Sequence, residues 1–151
     1  MSGRRATVSL PDVNVLIALF DPGHIHHDAA HEWFASVGDG AWATCPLTEN
    51  GFVRVLSNPA YPGRRTTVAD AAARLGRLTR TEHHVFWQER ISILDPARFS
   101  PSDLTGHREI TDAYLLGLAV AYDGALVTFD RGMRLSAVVG AEEGHLVVLP
   151  T

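Results

Sequence analysis

The sequence predicts an α/β domain built on a mostly parallel central sheet with helices on both faces. Three observations predict it. Short apolar runs alternate along the chain with longer stretches of helical period, as strands joined by crossover helices require. The 151 residues, 46% apolar and 20% charged, suit one globular domain around a single core. The last two strand candidates, Ala125 to Thr128 and Leu146 to Leu149, are short and apolar, the pattern of buried parallel strands.

Each element has its own signal. Thr7 to Leu10 reads as a first strand, followed almost at once by a helix over Asn14 to Phe20 that Asp21-Pro22-Gly23 ends. A second helix is expected from about Asp28 to Val37, with Gly38, Asp39 and Gly40 returning the chain into a strand over Ala41 to Thr44. Pro46 suits the first position of a third helix, which Asn58-Pro59 closes after Ser57. Ala60 to Arg65, with Pro, Gly and two arginines, reads as a mobile loop. Thr67-Val68-Ala69-Asp70 has capping-box form and opens an alanine-rich helix to about Arg80. Val85 to Trp87 reads as a brief strand, Ser100 to Asp103 caps a short helical piece, and Glu109 to Tyr122 is a strongly amphipathic helix stopped by Gly124.

Composition excludes several chemistries. The formal charge is −4, which by itself argues against indiscriminate nucleic-acid binding. All thirteen basic residues are arginines. Without lysine there is no Walker A loop, Schiff base or pyridoxal phosphate anchor, and haloacid-type phosphatases and receiver domains become poor candidates. One cysteine, Cys45, rules out a disulfide framework within the chain and reads as a small buried filler. Arg4 and Arg5 imitate the start of a signal peptide, but Pro11 and Asp12 interrupt the apolar run that a signal needs next. Val15 to Phe20 falls far short of the roughly 18 apolar residues that span a bilayer. A cytoplasmic protein without membrane association is expected.

Four acids depart from the solvated pattern. Asp12 directly follows the first strand and Asp130 follows Ala125 to Thr128, so both belong at the carboxyl edge of the sheet, where open α/β folds place their sites. Glu49 precedes Phe52, Val53 and Leu56 at spacings that put it on their inward helical face, and Asp112 stands likewise to Leu115, Leu116 and Ala119. Each alone has an ordinary reading, because acids in a first helical turn favour the helix dipole. Four converging carboxylates repel one another unless a cation compensates. Oxygen ligands with open water positions suit Mg²⁺ or Mn²⁺ bound together with a substrate phosphate. The inference is a metal-dependent phosphoryl site, hydrolytic in character.

The same residues carry a resemblance. Asp12-Val13-Asn14-Val15-Leu16, Glu49 within Pro46-Leu47-Thr48-Glu49-Asn50, Thr111-Asp112-Ala113-Tyr114-Leu115-Leu116 and Thr128-Phe129-Asp130 occur in the order seen in PIN-domain ribonucleases. More narrowly, nearly the whole length resembles a VapC toxin of a type II toxin–antitoxin pair. The resemblance implies a single PIN-like domain over residues 1–151. It also implies an endoribonuclease in which Asp12, Glu49, Asp112 and Asp130 hold one or two Mg²⁺ or Mn²⁺ ions. Water attacks the scissile phosphorus, leaving 5′-phosphate and 3′-hydroxyl ends, and Asn14 and Thr128 support the acids through hydrogen bonds. Arg108 and Arg131, close in sequence to two of these acids, are assigned to substrate phosphate, and Arg64 and Arg65 on the loop to the RNA backbone. Arg74, Arg77 and Arg80 read as solvated helix surface that also suits backbone contact.

Structured RNA, either transfer or ribosomal, is the implied substrate, a VapB-type antitoxin the implied partner, and a homodimer the implied assembly. DNA is then engaged only through the antitoxin. Two other readings share the acids or the fold: a PIN/FEN-like nuclease acting on DNA or in RNA processing without an antitoxin, and a non-catalytic RNA- or protein-binding module. A phosphatase is disfavoured by the missing lysines and by Asn14 where a second aspartate is expected. His27 and His31 have the spacing of a zinc pair, yet without an H-E-x-x-H signature or a cysteine partner His24, His26, His27 and His31 read as a polar helix entry. His107 reads as a surface or capping residue. Trp33, Phe34, Trp42, Phe86 and Trp87 read as packing residues. The four proposed ligands account numerically for the whole −4.

Overall fold

A computed structural model describes residues 7–37 and 40–151; the Arg4–Arg5 pair and the Gly38–Asp39 part of the expected turn lie outside the described residues. Five strands, β1 (Ser9–Pro11), β2 (Trp42–Thr44), β3 (His84–Phe86), β4 (Ala125–Thr128) and β5 (Leu146–Val148), form one sheet in the order β3-β2-β1-β4-β5. Every pairing is parallel. The helices are α1 (Val13–Phe20), α2 (His27–Val37), α3 (Pro46–Leu56), α4 (Val68–Leu78) and α5 (Ile110–Ala121), with short 3-10 turns at Pro101–Asp103, His107–Glu109, Leu135–Ala137 and Glu143–His145. The α/β class with helices on both faces is as the sequence predicts.

The two-residue period of the strands sorts the core into layers. Leu10, Ala43 and Leu126 point toward α5, whereas Trp42 and Val127 point toward α1 to α4. The chain builds β2 and β3 outward on one side of β1, then returns to place β4 on the other side. Strand order therefore reverses between β1 and β4, and the crevice beyond their carboxyl ends is the natural ligand position of such a sheet.

Several boundaries and environments differ from expectation. Leu146 to Leu149 was expected to be a fully buried strand, but β5 pairs on one side only, and Val147 and Val148 are exposed. At the opposite edge β3 starts one residue early, leaving Phe86 51% exposed while Trp87 turns inward and stacks on Tyr122 with centroids 4.6 Å apart. The other expected packing aromatics behave as such: Trp33 and Trp42 are buried and Phe34 packs on Trp42. Expected to be amphipathic, α5 is instead buried from Leu115 through Ala119. The cause is its cover: Phe99 crosses the outer side so closely that Gly117 has no room for a Cβ. Helix α4 stops at Leu78 with Thr79 as its C-cap, two residues before Arg80, and its Thr67 hydroxyl accepts from the Asp70 N–H at 3.0 Å as the capping pattern predicts. The 60–65 loop is partly anchored, since the Tyr61 hydroxyl donates to Asp21 Oδ2 at 2.5 Å.

Candidate active site

Residue Asp12 leaves β1 and caps α1 in extended conformation (φ −71°, ψ 175°), its Oδ1 accepting from the Val15 N–H at 2.9 Å. Capping accounts for one oxygen of a carboxylate that is only 5% exposed. The fully buried Thr128 hydroxyl donates to the same carboxylate and accepts from the Asp130 N–H at 3.1 Å, so one hydroxyl links two of the acids. Burial pushes the Asp12 pKa up, opposed by these hydrogen bonds and by the Asn14 N–H, while Asp130 adds repulsion. Asp112, in the first turn of α5, is pushed up to about 6 by burial, then by the charges of Asp12 and Asp130. Asp130 is exposed and turns one oxygen to the Gly132 N–H at 2.8 Å.

These three acids, with Asn14 and Thr128, line an open recess of about 480 Å³ beyond the ends of β1 and β4. His24, Ile25, His26 and Phe129 line it as well. A smaller hollow of about 30 Å³ adjoins it, sharing Asp112 and Asp130 and adding Glu109 and Arg134. Among the described residues no arginine pairs with Asp12, Asp112 or Asp130; Arg134 pairs with Glu109 at 3.8 Å. Among the described residues the recess thus concentrates negative charge with no arginine paired to it, and that charge fits a divalent cation. Among the described residues no three His, Cys, Asp or Glu side chains stand close enough together to hold a metal ion by themselves, so water and substrate would have to complete its shell. An open set of carboxylates fits Mg²⁺ or Mn²⁺, which keep several waters and share their shell with substrate phosphate.

The PIN-domain family model matches residues 9–138, which span β1 through β4 and contain every acid of the recess. The chain belongs to the PIN-domain family. Within that family it is 48% identical over 141 residues to Ribonuclease VapC44 of Mycobacterium tuberculosis (strain ATCC 25618 / H37Rv), covering 93% of this chain and 99% of that protein. It is also 42% identical over 135 residues to Ribonuclease VapC39 of the same strain, covering 89% and 97%. Ribonuclease VapC29 of strain CDC 1551 / Oshkosh is 40% identical over 126 residues, covering 82% of this chain and 86% of that protein. This PIN domain is therefore of the VapC group.

Within the PIN domain the fourth expected acid stands apart. Glu49 lies in the first turn of α3, but its carboxylate accepts from the Thr44 hydroxyl at 2.7 Å and lines a crevice between α3 and α4, with Asn50, Leu75 and Thr79. Thr44 also meets His84 Nε2 at 2.8 Å. The recess brings together Asp12, Asp112 and Asp130 and does not include Glu49.

The expected substrate arginines are dispersed around the PIN domain. Arg108 is exposed on the 3-10 turn before α5, and Arg131 donates to the Thr151 hydroxyl at 2.9 Å. Arg64 lines a separate cavity of about 320 Å³ with Arg74, and Arg65 is exposed beside it. The histidine run divides by role. His27 Nδ1 donates to the Ala18 carbonyl at 2.7 Å and His31 Nε2 to the Leu19 carbonyl at 3.0 Å, which satisfies the end of α1 and gives the pair a structural purpose without zinc. Arg134, Glu109, His24 and His26 border the acids although the sequence does not mark them as site residues; loop packing, which no spacing motif encodes, brings them there. Cys45 is fully buried, as expected of a filler, and burial pushes its thiol up to about 11. Among the described residues no helix is long and apolar enough to cross a membrane.

Proposed function

We propose that this PIN domain is a Mg²⁺- or Mn²⁺-dependent endoribonuclease, the toxin of a VapBC-type pair, which cleaves structured transfer or ribosomal RNA in the cytoplasm and so inhibits translation. The observation that carries this reading is that Asp12, Asp112 and Asp130 line one open recess at the switch point of the sheet, with no arginine paired to them among the described residues. The names of the relatives support ribonuclease chemistry, and their coverage extends along almost the whole chain.

In this reading Asp12 and Asp112 hold the cation, Asp130 completes the open set, and Glu49 joins it by resemblance from its position on α3. A divalent ion held there would supply neutralisation of phosphate charge and a more acidic water for the attack. Thr128 keeps Asp12 and Asp130 at a fixed mutual position through its paired hydrogen bonds, and Asn14 stands at the lip to orient water or phosphate. No protein nucleophile takes part. Arg108 and Arg131, exposed near the mouth in sequence, meet the phosphates that flank the cut, while Arg64 and Arg65 contact backbone farther away. A VapB-type antitoxin presents a basic side chain to the negative recess and supplies the DNA-binding function, and the toxin assembles as a homodimer.

Incubation of the purified protein with total RNA, DNA and a chromogenic phosphate ester, with Mg²⁺ or Mn²⁺ and with chelator, tests the reading. RNA alone is expected to be cut, and only with metal. Preferential cutting of DNA supports the antitoxin-free nuclease instead, and inactivity toward all substrates at saturating metal supports the binding module.

A further inference from the structure

The lining of the recess is of two kinds, and the acids are only one of them. Phe129 follows β4 and shares the face of Val127, so its ring turns toward the α1–α2 layer and packs against that core. There it meets His26, with ring centroids 4.7 Å apart and planes inclined by 35°. His24 lies 5.7 Å from His26, and Ile25 stands 87% exposed at the outer lip. An aromatic surface thus shares one open recess with the carboxylates.

His26 differs from its neighbours in what its ring does. His27 and His31 use ring nitrogens on α1 carbonyls, and His24 Nδ1 accepts from the His26 N–H at 3.0 Å. The His26 ring makes no hydrogen bond among the described residues and is half-buried against Phe129. Its loop is held in place beforehand. Asp21 accepts from the Gly23 and His24 N–H groups at 2.9 and 3.0 Å and from the Tyr61 hydroxyl at 2.5 Å, and the His24 carbonyl accepts from the His27 N–H at 3.0 Å. A fixed, half-exposed ring pair with free nitrogens beside a phosphate-cleaving site suits stacking of an unpaired base, with the ring nitrogens left for its edge.

We propose that His26 and Phe129 form a nucleobase subsite, which takes the base of a nucleotide adjoining the scissile phosphate while that phosphate faces Asp12, Asp112 and Asp130. The proposal rests on the ribonuclease reading and adds to it a reason for selecting unpaired RNA: a base locked in a duplex cannot turn out to lie against His26. Substrate choice then depends on a splayed nucleotide, with the acids serving any phosphodiester presented to them.

The test couples the side chain to the base. A short fluorescein-labelled single-stranded RNA carries one abasic ribose walked along its length, and binding is read by anisotropy with Ca²⁺ in place of Mg²⁺, with cleavage read separately in Mn²⁺. At one position the abasic ribose is expected to weaken wild-type binding by about 5- to 150-fold. His26→Ala loses affinity for the intact strand by a similar factor and becomes indifferent to the abasic ribose at that position, with KM rising more than kcat falls. His26→Phe restores the sensitivity, and His26→Leu, which keeps packing on Phe129 but has no π face, behaves as His26→Ala does. If the abasic ribose costs wild type and His26→Ala equally at every position, or costs neither anything, the subsite is refuted. Coupling in binding without cleavage in Mn²⁺ overturns the nuclease reading and leaves the base subsite standing; cleavage without coupling does the reverse.

Discussion

At the scale of single residues, the site depends on Thr128 as much as on the acids. Replacing it by valine leaves the buried Asp12 carboxylate without its hydroxyl donor and the part-buried Asp130 N–H without its acceptor. Thr128→Val is expected to cost about 1–3 kcal/mol in chemical denaturation, with Thr128→Ser close to wild type. Asp112 gives a pH signature. Its carboxyl pKa rises on folding from 3.8 to about 6, so the folded state binds the proton more tightly. Its contribution favours the fold below 3.8 and is lost as pH climbs through about 6. Metal-free wild type should therefore lose melting temperature across that interval relative to Asp112→Asn, and Mg²⁺ should restore more of it above the interval than below. An equal pH slope in both proteins contradicts the shared charge of the recess. Asp12, Asp112 and Asp130 were legible in sequence because each sits at a strand end or on an inward helical face. The orientation of Glu49 was not, since it depends on how Thr44 and the α3–α4 crevice receive the side chain. Glu49→Gln is accordingly expected to weaken Mn²⁺ binding less than Asp112→Asn does in calorimetric titration.

At the scale of elements, close contact between α1 and α3 sets the frame around the acids. A Cβ at Gly51 would lie 2.6 Å from Val13 Cγ2, one residue after Asp12. Gly51→Ala is expected to cost about 1–3 kcal/mol by overpacking, and Val13→Ala in the same chain should recover most of it; additive losses in denaturant melts would contradict direct contact. Helix starts were legible where Thr67 or Pro46 supplied a local cap. The burial of α5 and the exposure of β3 and β5 were not, because both depend on neighbours distant in sequence. Residues around Phe99 cover α5, while strand order leaves β3 and β5 with one partner each. The roles of His27 and His31 likewise came from α1 carbonyls that their own spacing does not reveal.

At the scale of the whole molecule, charge and topology act together. The sequence carries seventeen acids against thirteen arginines, and the fold gathers three of those acids where strand order reverses. Alternating strands and helices made the sheet legible; the reversal between β1 and β4 was readable only as the general rule that such sheets bind ligands at their carboxyl edge. A negative recess repels phosphate until a cation occupies it, so RNA affinity should rise steeply on adding Mg²⁺ and collapse with chelator. The most direct measurement is cleavage of a single RNA, with mapped ends, by wild type and Asp112→Asn across a Mn²⁺ titration. Metal-dependent cutting that leaves 5′-phosphate ends in wild type, and falls by at least about 100-fold in Asp112→Asn, is the expected result. Cutting that persists in chelator, or survives Asp112→Asn undiminished, would contradict a metal-dependent nuclease centred on these acids.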